Sequence, residues 1–147
     1  MQALIRTLPS PLRRAVTPAR LAVVEEFIRF GVVGAIGFLI DTATVYGLRG
    51  TLGLYGAGAV AYLTAATSNW LLNRIWTFKG RGSGPAHRQW LAFLLANLVG
   101  FVLNRGTYAV LVTVWALAAA QPVIAIAAGT AAGMFVNFGL SKRLVFR

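Results

Sequence analysis

Residues 27–46, FIRFGVVGAIGFLIDTATVY, and residues 90–109, WLAFLLANLVGFVLNRGTYA, are two copies of one apolar segment. At a constant offset of 63, Phe30 falls on Phe93, Gly37 on Gly100, Phe38 on Phe101, Asp41 on Asn104 and Thr44 on Thr107. Further along, an offset of 68 sets Asn69 on Asn137, Arg74 on Lys142 and Phe78 on Phe146. The change of offset is expected in a connection five residues longer in the second copy. The chain thus reads as one apolar helical hairpin made twice, repeat one over 27–78 and repeat two over 90–146.

With 58% hydrophobic and 12% charged residues and a mean hydropathy of +0.71, the 147-residue chain lacks the polar surface a soluble domain shows to water. The expected fold class is an all-α membrane protein of four transmembrane helices, near 27–48, 55–73, 90–113 and 122–140. Each is long enough to cross a hydrocarbon layer of about 30 Å. The absence of cysteine excludes disulfides and thiolate chemistry, and His87 alone builds no histidine metal centre, so no metal or cofactor is expected. One histidine and three acids supply no catalytic pair, and an enzyme is not expected.

The net charge of +11 is explained by where the cations lie. Twelve of the fourteen basic residues precede or open span one, lie between spans two and three, or follow span four, leaving Arg49 outside and Arg105 within span three. This positive-inside pattern places both termini and the middle loop in the cytoplasm and leaves nothing that calls for nucleic acid. Residues 1–26 form a basic arm with Pro9, Pro11 and Pro18 and no signal-peptide core, expected to stay cytoplasmic with a short surface helix opened by Thr17-Pro18. Because each repeat contains two spans, the second re-enters the membrane in the same direction as the first, making the repeats parallel.

Asp41 and Arg105 lie fourteen and fifteen residues beyond the starts of their spans, about 21 and 22 Å along helices that rise ~1.5 Å per residue. An isolated ion at that depth costs on the order of 2.5–3.5 kcal/mol, so the two are expected to pair, and as intramembrane ions they are functional candidates. Stripes of small and polar residues share helix faces with them, among them Gly34 and Gly37, Asn69 and Asn73, Gly100 and Asn104, and Gly133 and Asn137. Asn69, Asn73, Asn104 and Asn137 either bond helix to helix or line a substrate path. Arg74, Lys142 and Arg143, at the inner ends of spans two and four, serve topology or bind a phosphate. Trp70, well inside span two, either stacks on a sugar or fills the bundle.

Three stretches carry a resemblance to a known family: Arg29-Phe30-Gly31-Val32-Val33-Gly34 followed by Asp41, Asn69-Trp70-Leu71-Leu72-Asn73-Arg74-Ile75-Trp76-Thr77-Phe78, and Asn137-Phe138-Gly139-Leu140-Ser141-Lys142-Arg143-Leu144-Val145-Phe146. The chain resembles the GtrA-like family of small four-span membrane proteins over residues 27–147. The resemblance implies a flippase of the bacterial cytoplasmic membrane, moving a polyprenyl-phosphate-linked sugar for cell-surface polysaccharide biosynthesis or glycosylation. In that reading Arg74, Lys142 and Arg143 receive the phosphate, Asn69, Asn73, Asn104 and Asn137 hydrogen-bond the sugar, and Asp41 with Arg105 gates its passage. Four spans are narrow for a hexose, so a homodimer is expected to form the path. The alternative is a non-transporting membrane partner that anchors or recruits a glycosyltransferase.

Overall fold

The computed structural model describes residues 17–82 and 84–147; most of the N-terminal arm, residues 1–16, lies outside them. Every regular element among the described residues is helical. Thr17, in extended conformation, accepts a hydrogen bond from the Arg20 backbone N–H at 3.3 Å, and Pro18 occupies the first turn. A helix opens at Thr17-Pro18 as expected, but it is not short: it runs without interruption into the first apolar segment. Nothing between Leu21 and Phe27 breaks a helix, and Glu25 pairs with Arg29 one turn further on.

The helical run Pro18–Leu72 breaks once, at Gly53, whose φ of 67° and ψ of 174° only glycine adopts without strain. This divides it into α1 (18–52) and α2 (54–72). The arms fold back on each other: Gly37 packs on the Asn69 side chain, and Arg29 Nη1 donates to the Trp76 carbonyl at 3.4 Å. In repeat two, α3 (Ala86–Val114), the short α4 (Ala116–Ala120) and α5 (Pro122–Leu140) form the corresponding hairpin. Gly100 packs on Asn137 as Gly37 does on Asn69. The five residues of α4 match the change of offset from 63 to 68. Ala86–Val114 is long and apolar enough to cross a membrane, with a mean hydropathy of 1.3 over its apolar window.

Both hairpins end in the same uncommon way. A π-helical turn, Asn73–Thr77, follows α2, and another, Ser141–Val145, follows α5. Each closes on the backbone N–H of a phenylalanine, Phe78 donating to the Asn73 carbonyl and Phe146 to the Ser141 carbonyl, both at 2.8 Å. The wider turn brings the two phenylalanines into the core, where their rings stack on each other with centroids 4.7 Å apart. Phe30 sits 6.3 Å from Phe78 and Phe93 6.1 Å from Phe146, so the stacked pair lies on the pseudo-twofold axis that relates the repeats. Phe138 completes the cluster against Phe30, at 5.7 Å. Such ring pairs contribute roughly 0.5–1.5 kcal/mol each beyond buried area.

Away from this cluster the surface is apolar: Leu39, Leu95, Val102 and Phe135 are all more than half exposed. That is the surface of a protein solvated by lipid.

Candidate functional site

The two hairpins meet at the π-turn end, and between them lies a cavity of about 570 Å³. Its floor is closed by Phe30 and Phe93, 7% and 1% exposed, while at its mouth Phe38 and Phe101 are 68% and 54% exposed. Helices α1, α2, α3 and α5 all contribute to the wall, with Gly31 and Gly34 on α1, Gly100 on α3 and Gly133 on α5 among the lining residues.

The polar lining is mostly asparagine, with Tyr62 and Thr130 beside it. Asn69, Asn73, Asn97, Asn104 and Asn137 all reach the cavity. The Asn137 amide faces Asn97 Oδ1 at 3.5 Å, and Asn97 donates to the Phe93 carbonyl at 2.8 Å. The Oδ1 atoms of Asn69, Asn73 and Asn137 are buried without a donor, and Asn73 is only 1% exposed. A buried acceptor without a donor costs about 1–3 kcal/mol. No charged side chain lines this cavity.

The pairing expected of Asp41 and Arg105 does not form. Asp41 lines a side recess of about 270 Å³ between α1 and α2, whereas Arg105 is exposed and lies over the Phe101 ring at 5.6 Å. Neither belongs to an ion pair among the described residues. Equal depth is not equal azimuth. The residue that matches Asp41 in repeat two is Asn104, which faces the cavity, and Arg105 follows it by about 100° around the helix.

The basic residues lie at the closed end, outside the cavity. Arg74 Nη1 donates to Gln89 Oε1 at 2.6 Å, and Lys142 Nζ donates to Glu26 Oε2 at 2.6 Å. Each cation also lies over the ring one turn before it, Arg74 over Trp70 at 5.6 Å and Lys142 over Phe138 at 5.7 Å. Glu26 takes a second cation, Arg81, at 2.6 Å. Arg143 is exposed. Trp70 fills the bundle: its indole packs on the aromatic cluster, donates to Gln89 Oε1 at 3.2 Å and does not line the cavity.

Glu26 and Gln89 stand 63 residues apart, so they are equivalent positions, each binding the cation at the end of the other repeat. Gln89 is 8% exposed and also donates to the Val145 carbonyl at 3.2 Å. Gly82, at φ 95°, leaves room for its carboxamide. Extending the offset of 63 by one residue before Phe27 would have found the pair.

A family model described as GtrA/DPMS, transmembrane domain, matches residues 29–147. The chain belongs to this family and is a membrane protein. No curated protein matches it.

Proposed function

We propose that this protein moves a polyprenyl-phosphate-linked sugar across the bacterial cytoplasmic membrane, supplying polysaccharide assembly or glycosylation at the far face. The observation that carries the reading is the uncharged, asparagine-lined cavity between the hairpins. Its volume falls within the roughly 300–1,000 Å³ of small-molecule sites. Sugar hydroxyls donate and accept at once, and so do the asparagine carboxamides that line the cavity. Asn104 extends the same lining towards the mouth. A phosphate, which brings acceptors and charge, is poorly matched to this cavity and belongs at the rim.

In the proposed arrangement α1, α2, α3 and α5 cross the membrane with both termini in the cytoplasm, as the positive-inside pattern favours. The π-turn end then faces the cytoplasm, and the cavity is closed inward and open outward. Arg74, Lys142 and Arg143 receive the phosphate at the inner leaflet, where it competes with Gln89 and Glu26 for the first two. The gate lies at the Phe78–Phe146 stack instead of at Asp41 and Arg105, and the polyprenyl tail stays in lipid beside the gap between hairpins. One chain already encloses a sugar-sized space, which removes narrowness as the ground for a homodimer.

Purified protein in liposomes with a fluorescent polyprenyl-phosphoryl sugar tests the proposal. The expected result is exchange between leaflets well above that of empty liposomes. Exchange at the empty-liposome rate by folded protein would refute transport and favour recruitment of a glycosyltransferase.

A further inference from the structure

The two hairpins end in equivalent cations held by unequal partners. Arg74 and Lys142 match at the offset of 68, and the residues that hold them, Gln89 and Glu26, at the offset of 63. Lys142 Nζ donates to Glu26 Oε2 at 2.6 Å, and the same carboxylate takes Arg81 at 2.6 Å. Arg74 Nη1 donates to Gln89 Oε1 at 2.6 Å and has no acid partner among the described residues. The pseudo-twofold axis therefore relates the positions but not the charges: Lys142 is held by an anion, Arg74 by a neutral amide. Gln89 is 8% exposed and both ends of its carboxamide are engaged, Oε1 by Arg74 and Trp70 and Nε2 by the Val145 carbonyl.

We infer that Gln89 makes Arg74 the phosphate-receiving cation of the closed end, while Glu26 keeps Lys142 as a structural tie. Each chain then takes a single phosphate group, on one side of the pseudo-twofold axis. The inference rests on the reading of the protein as a carrier of a phosphate-linked lipid. A phosphate oxygen that replaces the Gln89 carbonyl exchanges a neutral acceptor for a charged one, and charge-assisted hydrogen bonds are roughly twice as strong. The amide oxygen so released keeps the Trp70 indole N–H, at 3.2 Å, and is not left without a donor. Arg74 is half-buried and lies over the Trp70 ring at 5.6 Å, a contact that restrains the guanidinium without using its N–H groups. Its single hydrogen bond to a side chain leaves most of the planar fork uncommitted, and that fork matches two oxygens of one phosphate. At Lys142 the same exchange replaces one anion by another, and the phosphate would stand beside the Glu26 carboxylate, a like charge.

The probe is radiolabelled farnesyl phosphate, bound by the full chain in phosphatidylcholine nanodiscs and counted against empty nanodiscs. Wild type is expected to saturate at a single equivalent per chain. Gln89→Glu sets an acid on Arg74 and is expected to weaken binding about tenfold or more. Glu26→Gln gives Lys142 a neutral partner in its turn and is expected to raise saturation to a second equivalent, a gain that a purely structural role for these residues does not produce. Helical circular dichroism reports folding, and if Gln89→Glu does not fold, the stoichiometry of Glu26→Gln decides alone. Folded Gln89→Glu that binds as wild type does, Glu26→Gln that still saturates at a single equivalent, or wild type that binds no more than empty nanodiscs overturns the inference. Leaflet exchange separates this site from the transport reading. No exchange by a protein whose binding follows the expected pattern refutes transport and leaves the site standing, whereas undiminished exchange in Gln89→Glu refutes the site and leaves transport standing.

Discussion

Replacing Gly133 by alanine tests the packing that builds one wall of the cavity. The added methyl would lie 2.8 Å from the Gly100 carbonyl oxygen and 3.2 Å from Asn104 Cβ. Both belong to α3, and the oxygen is part of a helix backbone that moves only if α3 and α5 separate. Overpacking of this kind costs about 1–3 kcal/mol. Against it stands the helix-propensity gain of alanine over glycine, about 0.8–1.0 kcal/mol. Gly139, on the same helix with nothing within 4 Å of its added methyl, receives that gain without the clash. The difference between Gly133→Ala and Gly139→Ala therefore isolates the contact, at about 1–3 kcal/mol in favour of the second. Reversible unfolding in mixed detergent and denaturing micelles, followed by helical circular dichroism, measures both. Coincident unfolding of the two variants would refute the close α3–α5 approach.

Gln89→Leu removes the acceptor shared by Trp70 and Arg74 and the donor to Val145, and is expected to destabilise the protein by about 1–3 kcal/mol in the same unfolding assay. Stability equal to wild type would show that the Gln89 network is not formed. Phe78→Ala and Phe146→Ala are expected to couple by roughly 0.5–1.5 kcal/mol in a double-mutant cycle, since each removes the other's stacking partner; additive losses would place the rings apart. Arg105→Ala is expected to leave leaflet exchange at the wild-type rate, because Arg105 lines neither cavity. Loss of exchange in that variant would return Arg105 to the path.

The repeat was legible because equivalent helices must bury equivalent faces. Gly37 with Asn69 and Gly100 with Asn137 are the same contact made twice, and the residues forming it match at offsets of 63 and 68. The asparagines were legible as a group for the same reason, being spaced to share faces. The π-turns were not, since an extra residue in a helical turn alters hydrogen-bond spacing without leaving a mark on composition. The Asp41–Arg105 pairing failed because rise per residue sets depth and says nothing of azimuth, and the matching of Asp41 to Asn104 already placed Arg105 on another face. Glu26 and Gln89 escaped notice because they are polar residues just before an apolar run, where composition suggests a solvated helix end instead of a buried tie.

The central claim, passage of the sugar through the space between hairpins, is tested by bridging that space. The chain has no cysteine, so Phe38→Cys with Phe101→Cys places two thiols, at equivalent positions of α1 and α3 at the cavity mouth, on a clean background. A cleavable bis-thiol crosslinker is applied to this variant in liposomes containing the polyprenyl-phosphoryl sugar. The account predicts leaflet exchange that falls to the empty-liposome rate on crosslinking and returns on cleavage. Undiminished exchange in fully crosslinked protein would contradict it.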